Sequence, residues 1–232
     1  FDCATNGQNA LSFDGVNDGV NCGSALSLDI TGTQITLEAW IYPTAFKPNA
    51  FDGNIINKEG GNAGYQLRCG AAGILQMALG TGTTFIQPAS PAGTLVLNTW
   101  QHVAGTYDGT TARLYRNGVE VASLPATASF ITSPNAMRIG DYAVTPGART
   151  FQGKIDEARV WSVARSAGDI GAFMNQQLCG SEAGLAAYYL FDQGTAGGNN
   201  AGVTTLTDIN ANANNQSGST DCAAGSGADT IS

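Results

Sequence analysis

The residues best placed for chemistry lie near the start of the chain, in Phe13-Asp-Gly-Val-Asn-Asp18. Asp14, Asp18 and the Gly15 carbonyl offer hard oxygen ligands of the kind that hold calcium at about 2.3–2.6 Å. The same residues also suit a plain hairpin turn through Asp14-Gly15. Farther on, Asp156 and Glu157 stand side by side. Glycoside hydrolysis needs two carboxylates flanking one sugar bond, about 5–5.5 Å apart for retention. Successive side chains of a strand point to opposite faces, so this adjacent pair is not expected to form such a dyad. His102 is the only histidine and sits mid-strand without a Gly-x-Ser-x-Gly turn or an activated cysteine to serve, so it reads as a core residue rather than a general base.

Binding without cleavage calls for aromatic and planar polar side chains on loops. Two insertions supply them, Phe46-Lys-Pro-Asn-Ala-Phe-Asp52 and Asp141-Tyr-Ala-Val-Thr-Pro-Gly-Ala-Arg149, and Tyr142 and Arg149 are the residues expected to contact a ligand. Read without that premise they are ordinary exposed loop residues. Trp40, Trp100 and Trp161 fall inside strand patterns and are expected in the core rather than as sugar platforms.

Five cysteines, Cys3, Cys22, Cys69, Cys179 and Cys222, form no CxxC pair, so disulfides are expected before zinc. Cys3 and Cys222 lie near the two ends in polar sequence and are read as a clasp between the termini, a loop long enough for an entropic contribution of about 4–5 kcal/mol. The odd count leaves one thiol, either buried and inert or open to another chain.

The elements that must carry these groups read as β-structure. With 31 glycines and only 12% charged residues, the composition favours short strands and tight turns. The 43% hydrophobic content over 232 residues supplies a sizeable core. Ile35-Thr-Leu-Glu-Ala-Trp-Ile-Tyr42 alternates, with Ile35, Leu37, Ala39 and Ile41 on one face. Trp100–Tyr107, Thr111–Arg116 and Val119–Leu124 are joined by Asp108-Gly109 and Asn117-Gly118, which supply the positive φ of tight hairpins, and so form an antiparallel meander. Further strands are expected at Ala10–Phe13, Val16–Cys22, Asn54–Lys58, Tyr65–Cys69, Ile74–Leu79, Met137–Ile139, Phe151–Trp161 and Leu185–Phe191. One short helix is expected over Ser166–Asn175, with Ser166 as N-cap and Asp169 closing a capping box. Beyond Phe191 the sequence turns Asn-, Gly- and Thr-rich, with only Val203, Leu206 and Ile209 as anchors and without an evident strand partner. Its Asn215-Gln-Ser217 triplet fits a glycosylation sequon that carries little weight in an Asn-rich stretch.

The expected fold is all-β, a two-sheet antiparallel sandwich of jelly-roll type with one short helix. It is read as a single domain over 1–232, with its core at about 10–191 and a polar extension at 192–232. A net charge of −8 and a pI near 4.4 exclude a nucleic-acid partner, because phosphate binding depends on clustered Lys and Arg. No apolar run approaches the ~18–20 residues that cross a bilayer, so membrane insertion is not expected. The chain starts at Phe1 rather than Met, which fits a leader already removed and fits a trimmed piece equally well.

Four segments together resemble the bacterial laminin-G-like jelly-roll domains of the concanavalin A-like lectin and glucanase superfamily. They are Ala10-Leu-Ser-Phe-Asp-Gly-Val-Asn-Asp18, Ile35–Tyr42, Trp100-Gln-His-Val-Ala-Gly-Thr-Tyr-Asp-Gly109 and Phe151-Gln-Gly-Lys-Ile-Asp-Glu-Ala-Arg-Val-Trp161, with Leu185–Asp192 similar to the closing strand. The resemblance implies a secreted, extracellular protein of the bacterial surface that binds rather than cleaves, and no Glu-x-Asp-x-x-Glu run of the glucanase kind occurs. It also implies one structural calcium, with Asp156 as the partner of Asp14, Gly15 and Asp18 across the sandwich. It does not dictate the disulfides, since Met174–Cys179 lacks the extra cysteine of some similar sequences; Cys22–Cys179 is the pairing adopted. The leading reading is a calcium-assisted adhesion module for glycan or cell-surface ligands. The alternative is a self-assembling subunit of an extracellular filament whose partner is another copy of itself, with Phe1–Gln8 or Ala201–Ser232 at the contact.

Overall fold

A computed structural model describes residues 10–193 and 206–210. In chain order the strands are β1 (Leu11–Asp14), β2 (Val20–Asn21), β3 (Ile35–Pro43), β4 (Asn54–Asn57), β5 (Tyr65–Cys69), β6 (Leu75–Gly80), β7 (Phe85–Ile86), β8 (Gln101–Tyr107), β9 (Thr111–Arg116), β10 (Val119–Pro125), β11 (Arg138–Ile139), β12 (Gln152–Trp161) and β13 (Leu185–Tyr189). A single helix, α1 (Ala167–Phe173), falls between the last two. One sheet runs β1-β12-β3-β8-β9-β10 with β13 also paired to β12, and the other runs β2-β11-β4-β5-β6-β7. All pairings are antiparallel, so the molecule is the β-sandwich that the alternation and turns require.

The inner faces follow the period of two. Ile35, Leu37, Ala39 and Ile41 of β3 meet Tyr65, Leu67 and Cys69 of β5 and Leu75, Met77 and Leu79 of β6 in one continuous core. Burying each of these larger side chains stabilises the sandwich by roughly 1.5–3 kcal/mol. At the β9–β10 turn Asn117 and Gly118 adopt φ of 51° and 76°, the left-handed pair that matches the twist of a hairpin. Ser166 accepts from the Asp169 backbone N–H while the Asp169 carboxylate accepts from that of Ser166, completing the capping box of α1.

Three expectations change. The segment Val16–Cys22 makes only the two-residue β2, because residues 14–18 are spent on a turn. Trp100 is 39% exposed, its ring tilted against that of Tyr42 at 5.7 Å, and so lies outside the core. The polar extension does find a strand partner: Asp208 bridges Tyr189 of β13 and accepts from the Tyr188 backbone N–H at 2.9 Å.

The Cys22–Cys179 pairing is also corrected. Cys22 is a buried thiol in the core, its sulfur 4.0 Å from the Val20 carbonyl. Cys179 is disulfide-bonded. The Cys3–Cys222 clasp, the Asn215 sequon and the Phe1–Gln8 segment likewise fall outside the described residues, as does the 201–232 segment apart from 206–210. Cys69 keeps its thiol, and burial pushes that group up to about 12.

Candidate functional site

The outer face of the six-stranded sheet carries an array of planar polar side chains. Because Tyr65, Leu67 and Cys69 point inward, Gln66 and Arg68 of β5 must point out. The register then sets Arg68 opposite Gln76 of β6 and Asn54 of β4, and Gln66 opposite Asn57. The Arg68 Nε donates to Gln76 Oε1 and one terminal nitrogen donates to Gln66 Oε1, both at 2.7 Å. Asn57 Nδ2 donates to Asn54 Oδ1 at 2.9 Å. A face of an exposed sheet would normally be wet, yet Arg68 is only 2% exposed.

Two loops roof this face. In the first, Gly53 holds φ at 71°, and a Cβ there would lie 2.2 Å from the Cys69 carbonyl oxygen, so only glycine lets the chain close onto β5. The turn delivers Phe51, half exposed, over Arg68, whose guanidinium carbon is 4.9 Å from the ring centre. In the second loop the buried Asp141 carboxylate accepts from the backbone N–H groups of Tyr142 and Gly147, at 2.7 and 3.0 Å, and from Arg138 Nε at 2.9 Å. Asn54 anchors the far end, its backbone N–H and side-chain amide both donating to the Arg149 carbonyl, at 3.1 and 2.9 Å. Arg149 itself has φ of 56°, an uncommon backbone for a residue with a Cβ. It points its guanidinium 4.4 Å from the Tyr142 ring centre and 5.7 Å from that of Phe51.

Tyr142 and Arg149, expected as ligand contacts, are thus brought together, and Phe51 from the other insertion joins them. Burial, and after it the charge of Arg149, lowers Arg68 to about 10. Burial and the neighbouring Glu59 raise the Tyr142 hydroxyl, which therefore stays a neutral donor at physiological pH. Chemically the site offers two aromatic rings and the Arg149 guanidinium, over a buried floor of Arg68 and carboxamides. Arg68, Gln66, Gln76 and Asn57 escaped the sequence reading, although the alternation of Tyr65-Gln-Leu-Arg-Cys69 already placed two of them outward.

The calcium set is not assembled. The Gly15 carbonyl accepts from the Lys47 ammonium at 2.5 Å, Asp14 Oδ1 accepts from the Val16 N–H, and Asp18 Oδ2 accepts from the Asp14 N–H, both at 2.6 Å. Asp14 pairs with Gln152, so Asp156 lies four residues along β12, about 13 Å away at ~3.3 Å per residue. Among the described residues no group of three or more His, Cys, Asp and Glu could hold a metal ion. The oxygens named for calcium are committed to protein donors, one of them cationic, and do not fit the ion.

Asp156 belongs instead to the outer face of the seven-stranded sheet. A bulge between Asp156 and Arg159, with Glu157 at φ of 52°, breaks the simple alternation there. Asp156 therefore accepts from the Glu157 N–H at 2.8 Å, and burial together with the Glu157 charge pushes its carboxyl up to about 8. Glu157 in turn accepts from Arg159 and from the Tyr188 hydroxyl. Beside them a fully buried Glu38 accepts from Trp161 Nε1 at 2.8 Å and from Arg165 at 2.9 Å. The C-terminal end of α1 covers this cluster: the Met174 carbonyl accepts from Trp40 Nε1 and the Phe173 carbonyl from Arg159. His102 is buried against Glu38, and desolvation lowers it to about 4. These groups hold a helical strap to a sheet.

The comparisons agree with the architecture. A family model of the concanavalin A-like lectin/glucanases superfamily, laminin G type, matches residues 14–171. A solved structure from Bacteroides ovatus, of a protein provisionally assigned to carbohydrate binding, superposes with a TM-score of 0.65 at 29% identity, covering 86% of this chain and 55% of that one. The CBM40 domain of a Ruminococcus gnavus sialidase, bound to α2,3-sialyllactose, superposes with a TM-score of 0.54 at 19% identity over 71% of this chain and 96% of its own. Mouse pappalysin-1 is 34% identical over 76 residues, which span 31% of this chain and 4% of that protein.

Proposed function

From the premise that this chain belongs to the concanavalin A-like lectin/glucanase superfamily, we propose that it is a secreted, non-catalytic carbohydrate-binding module whose site is the outer face of the six-stranded sheet. The observation that carries the reading is the convergence of Phe51, Tyr142 and Arg149 over the floor of Asn57, Gln66, Arg68 and Gln76. An aromatic ring offers its face to the C–H side of a pyranose, the Tyr142 hydroxyl and the Arg149 guanidinium match its hydroxyls, and the buried floor holds these groups in place. The likeness to the Bacteroides protein, at 29% identity over most of this chain, supports the same chemistry.

A lytic reading has less to stand on. The adjacent carboxylates Asp156 and Glu157 lie on the other sheet, and Glu157 is held by Arg159 and Tyr188. Titration calorimetry against a panel of plant, algal and host glycans tests the proposal. At least one glycan should bind the intact protein at micromolar to millimolar Kd, without release of reducing ends, and Phe51→Ala and Tyr142→Ala should each weaken that binding tenfold or more. Binding that survives both substitutions would place the site elsewhere.

A further inference from the structure

The two arginines of this face are arranged in a way that a neutral sugar does not require. Arg68 and Arg149 come from elements far apart in sequence and both lie against the Phe51 ring, at 4.9 and 5.7 Å. Like charges brought this close disfavour each other, the more so where water is excluded. The usual remedy is a carboxylate between them. Here the ion pairs of the described residues engage Arg113, Arg138, Arg159 and Arg165, but neither Arg68 nor Arg149. Glu59 and Asp52 act on Arg68 only at longer range, and each counts for less than the opposing charge of Arg149.

The chain as a whole carries a net charge of −8, so two neighbouring guanidinium groups without a carboxylate partner run against its general electrostatics. They are also built in rather than adventitious. Arg68 is fixed by Gln66 and Gln76 in the sheet. Arg149 is held at a positive φ by two bonds from Asn54 to its carbonyl. Backbone strain of that kind persists only where the surroundings enforce it. A guanidinium fixed in place offers parallel N–H donors spaced for the oxygens of an anion.

We infer that the ligand is an anionic glycan, a sugar bearing a carboxylate or sulfate group that meets the Arg149 guanidinium beside the Phe51 and Tyr142 rings, with the buried Arg68 adding its positive charge from beneath. This rests on the carbohydrate-binding reading and adds the charge of the sugar to it. An exposed anion–guanidinium contact weakens with salt, and removing one of two guanidinium groups leaves the aromatic contacts in place.

Matched pairs of polysaccharides test this on the intact chain by affinity electrophoresis and calorimetry: polygalacturonate against its fully methyl-esterified form for the carboxylate source, and a sulfated galactan against its desulfated form for the sulfate source. The charged member of one pair should bind at least tenfold tighter than its neutral counterpart, lose affinity between 50 and 500 mM NaCl, and lose tenfold or more with Arg149→Gln. That variant changes a partly buried loop residue, and its melting temperature checks that it is folded. Equal binding of charged and neutral members, lost with Tyr142→Ala, would overturn the anionic inference and leave the carbohydrate reading standing. Failure of all four polysaccharides to bind would overturn the anionic inference, and the carbohydrate reading would fall only if the whole glycan panel failed as well.

Discussion

The guanidinium of Arg149 lies 4.4 Å from the centre of the Tyr142 ring, and both residues leave the same loop. The contact is bought with a left-handed backbone at Arg149, φ 56°. Replacing Arg149 by glycine removes the Cβ that this conformation crowds, at the cost of more unfolded-state freedom, so the two effects nearly cancel. Arg149→Gly should melt within about 1 kcal/mol of the parent, whereas β-branched Arg149→Val should lose roughly 1–2 kcal/mol. Equal stabilities for the two variants in urea unfolding would show that the backbone is not constrained there.

Asp156 sets a pH dependence of opposite sign to that of an ordinary surface carboxylate. Its folded value of about 8 stands above the usual 3.8, so below the unfolded value both states hold the proton and the stability is fully present. As pH rises toward 8 the unfolded chain ionises freely while the folded one does not, and that stability is lost, on the order of 1.4 kcal/mol per unit of difference. Asp156→Asn keeps an acceptor for the Glu157 N–H and removes the charge. The variant should match the parent near pH 4 and exceed its unfolding free energy increasingly up to pH 8. Parallel pH profiles would refute the assignment.

Glu38 is the common partner of Trp161 and Arg165 beneath the helical strap. Truncating it leaves Arg165 without its anion and Arg159 with Glu157 alone, and removal of one partner from a buried ionic cluster costs about 3–5 kcal/mol. Glu38→Ala should therefore lower the melting temperature far more than Glu120→Ala, which removes a half-exposed carboxylate 3.7 Å from Arg113. Surface pairs of that sort contribute under about 1 kcal/mol. Comparable losses in calorimetry would contradict the burial argument.

Lys47 holds the Gly15 carbonyl that a calcium ion would otherwise take. A hydrogen bond from a charged group contributes about 1.5–3 kcal/mol where it is partly desolvated. Lys47→Ala should lower the unfolding free energy by an amount in that range or somewhat below it, and excess chelator should leave the parent's melting temperature unchanged. A chelator-induced fall in the parent's melt would mean that the folded state binds a cation after all.

Much of this molecule is written locally. The alternation of Ile35–Tyr42 assigns Leu37 and Ile41 to the core, Asn117-Gly118 sets a hairpin, and Ser166 with Asp169 starts the helix, because period, turn dihedrals and capping depend on residues within a few positions of one another. The same local rules named the two loops that roof the site. They could not say that Glu38, on the outward parity of β3, is fully buried, because the segment that covers it arrives from beyond Trp161. Nor could they foresee the bulge at Glu157, which overrides the parity that placed Asp156 and Glu157 on opposite faces. The meeting of Phe51, Arg68, Tyr142 and Arg149, and the arrival of Lys47 at Gly15, are products of strand register and loop closure across the sandwich. Such contacts depend on where distant segments pack, and one chain's residue order leaves that to the tertiary structure.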